Sequence, residues 1–154
     1  MENKPLLDLL NHLIETCHDA EKGYQTAAEC AQNFELKQML ESYSNLRGRF
    51  VRQLQAEVER LGGTPQTSGS VAGALWRGWT NLKSTLTGGN EAAILTECQR
   101  AEEAAKETYE TTLQQSLLPE IRAIVERQAT TIQEALERLH ALEEAAAKLK
   151  TAQG

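Results

Sequence analysis

The chain has 154 residues, enough for one domain with a single continuous core over 1–154 and too few for a second. Hydrophobic residues make up 40%, aromatics only 5%, and proline (3) and glycine (10) are scarce, which argues against a disordered chain and against a strand-rich, turn-rich one. The 16 Lys+Arg against 22 Asp+Glu leave a formal charge of −6 with no basic run longer than a pair, so nucleic acid is not an expected partner.

The opening run MENKPLLDLL carries a charge every few residues and has no small-residue cleavage site, and no long apolar stretch follows anywhere. An unprocessed protein with no membrane partner and a cytoplasmic location is expected. Cys17, Cys30 and Cys98 all fall inside helical patterns, are odd in number and form no C-x-x-C pair, which suits reduced thiols.

In chain order, the positions Leu6, Leu10, Leu13, Cys17, Ala20, Tyr24, Ala27 and Ala31 alternate by four and three and predict a first helix over about 4–32. Asn33 is placed to cap a second over about 34–61, with the inward set Leu36, Leu40, Tyr43, Arg47, Phe50, Leu54, Glu57 and Leu61, ended by Gly62-Gly63. The stretch from 62 to 90 is too long for a tight turn and is expected to cross the bundle, bringing the next long helix parallel to the second. Inside it Val71, Leu75, Gly78, Leu82 and Leu86 predict a short crossover helix over about 71–86, whose neighbouring face holds Trp76 and Trp79.

After Asn90, a candidate cap, a third long helix over about 91–115 places Leu95, Cys98, Glu102, Ala105, Tyr109 and Leu113 on one side. Pro119 stands just inside the start of a fourth, over about 118–150, with the stripe Ile121, Val125, Gln128, Ile132, Ala135, Leu139, Leu142, Ala146 and Leu149. The fold class is therefore all-α, a four-helix bundle with a long crossover between its second and third helices. Charge is uneven: residues 1–32 and residues 91–115 each carry two bases against six acids, while the crossover holds Arg77 and Lys83 and no acid.

A short repeat joins the halves. Cys17-His18-Asp19-Ala20-Glu21 lines up with Cys98-Gln99-Arg100-Ala101-Glu102, each followed by a tyrosine, Tyr24 or Tyr109, and Val58-Glu59-Arg60-Leu61 lines up with Leu136-Glu137-Arg138-Leu139. That register sets Phe50 opposite Gln128 and Arg47 opposite Val125.

The run GSVAGALWRGWTNLKSTLTGGN, with LIETCHDAEKGYQTAAE before it and FVRQLQAEVERLGGTP between, resembles a bacterial family of ferritin-like, rubrerythrin-like four-helix-bundle proteins of unknown function. The resemblance spans nearly the whole chain and implies that bundle with its crossover topology, but no established activity. Metal-binding members of the wider superfamily use a Glu from each of two helices and a Glu-x-x-His from each of the other two. Here Glu21 and Glu102 occupy matching places in the first and third helices. The helix-two positions of the recipe hold Arg47 and Phe50 and the helix-four positions hold Val125 and Gln128, none of them a usual iron or manganese ligand. Glu137 and His140 do form a Glu-x-x-His, but beside the inward stripe and about 18 Å along the axis from Gln128. His12 and His18 fall on different faces and make no chelate.

Two arrangements of the charged trio are open. Arg47 can stand where metal charge would be, paired with Glu21, Glu102 or both as a core ion pair, or it can reach the surface along its stem while the two glutamates sit in water. Cys17 and Cys98 read as small buried hydrophobes, and the three tyrosines as core residues with bonded hydroxyls. No phosphate cradle, nucleophile elbow or Ser/His/Asp set stands at usable spacing, so no catalytic residue and no cofactor is assigned. The functional expectation is a non-catalytic scaffold or partner-binding protein, with a stress-related role among its options. Its alternative is an oxidoreductase or metal-storage protein on an atypical site built from Glu21 and Glu102, with Asp19, Glu103 or Gln128 assisting. A homodimer or an unidentified protein partner is compatible with either.

Overall fold

The structure, a computed structural model, describes residues 3–69 and 91–153, with side chains as far as Lys148. Four helices account for nearly all of it: α1 (Lys4–Cys30), α2 (Phe34–Arg60), α3 (Glu91–Leu113) and α4 (Pro119–Gln153). The expected crossover helix with Trp76 and Trp79, and the Asn90 cap, lie outside the described residues.

Local chemistry sets the ends. α1 stops at Cys30, two residues short of the expected boundary, because Ala31 turns to an extended conformation (ψ 133°) and frees Asn33 to start α2. The Asn33 side chain then accepts the Leu36 N–H at 2.9 Å, satisfying one of the orphan donors of the first turn. At the far end of α2, Gly62 adopts φ +83°, a region that costs a side chain but not glycine. The Gly62 and Gly63 N–H groups donate back to the carbonyls of Glu59 and Val58, both at 2.9 Å, which is the Schellman pattern of helix termination. α3 ends at Leu113, whose carbonyl accepts Arg122 Nη1 at 2.9 Å, so the first turn of α4 caps the helix before it. Pro119 opens α4 where its missing N–H is harmless.

Cross-helix hydrogen bonds give the topology. Ser44 donates to the Glu21 carbonyl (2.8 Å) and Lys37 to that of Ala28 (2.9 Å), so α1 and α2 are antiparallel. Tyr24 meets Glu102 and Cys17 meets Tyr109, so α1 and α3 are antiparallel as well. Tyr109 meets Gln128 and Gln99 meets His140, which pairs α3 with α4 in the same sense. The order is up-down-down-up, with α2 parallel to α3 as the long connection demands. The hairpins α1–α2 and α3–α4 make the most extensive contacts, followed by α1 with α3.

The core lies in two apolar clusters. One gathers Tyr24, Ala27, Leu36, Leu40, Ile94, Cys98 and Leu139, the other Leu10, Leu13, Cys17, Leu54, Val58, Tyr109, Ile121 and Ile132. Within α2 the burial departs from the expected stripe: Ser44, Val51 and Val58 are buried, while Tyr43 and Glu57 are half-buried. The straight 3.6-residue helix drifts from a strict four-three alternation over its length, which moves the inward face by a position. Asn33→Ala should remove the cap and lower stability by about 1 kcal/mol, read as a lower urea midpoint with an unchanged slope.

Candidate functional site

Between the two clusters sits a layer of buried polar side chains. Arg47 of α2 is 2% exposed and Glu102 of α3 is 1% exposed, and the Arg47 Nη2 donates to Glu102 Oε1 as a buried ion pair. The Tyr24 hydroxyl of α1 donates to the other carboxylate oxygen. One carboxylate thus accepts two strong hydrogen bonds, one of them charge-assisted. The Arg47 Nη1 has no hydrogen-bond partner among the described residues. Its guanidinium carbon lies 5.7 Å from the Tyr24 ring centre and 5.9 Å from that of Phe50, so aromatic faces take up part of the charge. Tyr43 meets Tyr24 edge-on at 5.4 Å and 71°.

A second chain of bonds runs beside the first. Gln128 of α4, 2% exposed, donates through Nε2 to Gln53 of α2 (3.0 Å) and accepts the Tyr109 hydroxyl at Oε1 (2.7 Å). With its proton committed to an acceptor-only oxygen, the Tyr109 hydroxyl oxygen is left to accept a hydrogen bond from the Cys17 thiol across 3.0 Å. Seven residues separate Cys17 from Tyr24 and Glu102 from Tyr109, and each tyrosine reaches across to the other helix's partner. The structural repeat therefore matches Glu102 with Cys17, about one helical turn away from the register read from the sequence. The equal spacing was the available signal for these links, and only antiparallel packing turns it into contacts.

Electrostatics follow from burial. Desolvation pulls the Arg47 pKa down, but Glu102, with Tyr24 and Cys17 adding to it, more than reverses this, and the guanidinium stays charged. Burial pushes the Cys17 thiol up to about 11, against the opposing pull of Arg47. Burial first, and the Glu102 charge second, also raises Cys98 and Tyr24 well above their ordinary ranges. Tyr109 is raised by burial and by Cys17. These thiols are protonated and shielded, and poor nucleophiles.

Of the expected trio, the structure brings together Arg47 and Glu102 and leaves Glu21 out. The Glu21 side chain is 33% exposed at the α1–α2 surface, with an oxygen 3.4 Å from His18 Nδ1. Its other oxygen lies over Gly48, 2.6 Å from where a Cβ would stand, so glycine makes room for the carboxylate. Glu21 lies on the edge of the inward face, where the α1–α2 groove opens to solvent. Asp19 is buried at another place, beneath Gly69, and Glu103 is exposed. His140 is a surface residue, 3.1 Å from Glu144 and 3.2 Å from Gln99. Phe50 and Val125 are apolar parts of the core.

A dinuclear metal centre does not fit this layer. It offers one carboxylate, a thiol, an amide, two phenols that already donate to Glu102 and Gln128, and a guanidinium, and the last holds no metal and repels cations. Among the described residues no group of three or more His, Cys, Asp and Glu stands close enough to hold a metal ion. No helix among them is long and apolar enough to cross a membrane.

Fold and site define an all-α four-helix bundle with an ionic pair at its centre. The chain belongs to the family described as Domain of unknown function (DUF2383), whose model matches residues 6–115, from α1 through α3. None of the curated proteins matches it.

Arg47→Ala leaves a carboxylate in the core without its counter-charge and should cost about 3–5 kcal/mol in urea unfolding, whereas Arg47→Met with Glu102→Leu should recover most of that loss. An alkaline limb is expected as well. From about pH 9 the unfolded chain gives up thiol protons that native Cys17 holds to about pH 11, so the native state binds more protons there and stability falls as pH rises through that window. Urea midpoints at pH 8 and pH 10 check the sign.

Proposed function

We propose that this protein is a ferritin-like bundle in which an arginine–glutamate pair takes the place of the metal centre, and that it works as a non-catalytic scaffold or partner-binding protein. The observation that carries the reading is the buried Arg47–Glu102 pair: a fixed cation occupies the middle of the core, and its one neighbouring carboxylate is already engaged by Arg47 and Tyr24. The up-down-down-up order of the helices supports the ferritin-like assignment. Protonated, buried thiols and bonded phenols speak for packing over redox chemistry. Three free cysteines suit a reducing, cytoplasmic setting.

The metal-dependent alternative needs Glu21 and Glu102 on one site. Glu21 faces His18 at the surface while Glu102 faces Arg47 in the core. Elemental analysis of protein purified without chelators tests the proposal. Iron, manganese and zinc well below one equivalent per chain, unchanged in Glu102→Gln, are the expected result. A stoichiometric metal that Glu102→Gln loses would replace this reading with the metal-binding one.

A further inference from the structure

The residues after α2 do not leave the bundle. Residues 62–69 run back along α1 as an extended strap, from Gly63 packed on Leu7 to Gly69 over Asp19. Asn11 holds its first half by both ends of its amide, donating to the Thr64 carbonyl (3.2 Å) and accepting the Gln66 N–H (2.8 Å). Gln55 of α2 donates to the Gln66 carbonyl at 2.9 Å. These contacts are neutral at every ordinary pH. The next one along the strap is not, because it is made by an imidazole.

His18 lies between two acceptors. Its Nε2 is 3.2 Å from the Thr67 carbonyl oxygen of the strap, and its Nδ1 is 3.4 Å from the Glu21 carboxylate. Nδ1 is shut off from water and makes no aligned hydrogen bond among the described residues. A neutral ring has one N–H, so either tautomer turns a lone pair toward one of these oxygens. The imidazolium alone presents N–H to both. We propose that His18 is a proton-operated latch: protonation lets the ring bridge Glu21 and Thr67 and hold the strap on α1, and loss of the proton releases one side of that bridge.

The surrounding charges fit this role. Among the described residues Glu21 is the one carboxylate in reach of the ring, and Asp19, also on α1, lies beneath Gly69. From α2, Arg52 reaches the same place over Gly48, its Nη1 3.6 Å from the Cβ position. Residues 62–69 of the strap carry no ionisable side chain. When His18 is neutral its one N–H goes to the charged Glu21 carboxylate, the stronger acceptor, which turns a lone pair toward the Thr67 carbonyl; nothing charged on the strap makes up for this, and Asn11 and Gln55 hold the strap without its further end.

Amide exchange by NMR on the full chain tests this, with the protection factor of the Gln66 N–H as the readout for the strap and that of Leu54 as the readout for the bundle. Between about pH 5.5 and about pH 8, Gln66 protection in the wild type should fall about fivefold, the equivalent of one hydrogen bond, while Leu54 is unchanged. His18→Gln keeps a donor for Thr67 but cannot take up a proton, and should give a flat profile. Glu21→Gln, which leaves the ring intact, should shrink the fall. A flat profile in the wild type, or the same fall in both variants, overturns the proposal.

Discussion

A guanidinium and a carboxylate withdrawn from water at the centre of the bundle constrain everything packed around them. Each would be costly alone, and together they are tolerated because Glu102 accepts from both Arg47 and Tyr24 and because aromatic rings face the remaining cationic surface. The pair joins α2 to α3, which run parallel and come from different hairpins. A slip of either hairpin by one turn would bury two uncompensated charges. The pair therefore ties together the relative height of the two halves, a task that interchangeable leucines and alanines perform poorly.

The same constraint limits the chemistry available inside. A fixed positive charge in the core disfavours a bound cation, and the neighbouring thiol and phenols keep their protons because burial outweighs the pull of Arg47. The Cys17–Tyr109–Gln128–Gln53 chain satisfies polar groups that would otherwise be stranded, and leads out of the core through α4 and α2. The family match ends at residue 115, yet Gln128, Ile132 and Leu139 of α4 complete the layer and both apolar clusters. In this chain the bundle closes only with its fourth helix.

The strap lies on α1 along Leu7, Asn11, His18 and Asp19. It explains burial that periodicity leaves unaccounted for: Asp19 lies off the inward stripe of α1 and is buried beneath Gly69 nonetheless. Coverage by an extended segment from beyond α2 leaves no periodic trace in α1, since the covering residues are glycines and small polar residues whose contacts run largely through their backbone.

The amino-acid order by itself determined four long helices, the Asn33 cap, the Gly62-Gly63 stop, the Pro119 start and most of the described buried positions, because helix periodicity, Asn33, Gly62 and Pro119 act within a few residues of where they stand. It also marked Arg47 and Glu102 as charges on inward stripes. Only the tertiary structure decided that Glu102, and not Glu21, meets Arg47, and that Cys17 meets Tyr109. A stripe defines which side of a helix faces inward; the height at which two helices meet, and whether an edge position opens to solvent, is set by packing between segments that are distant in sequence.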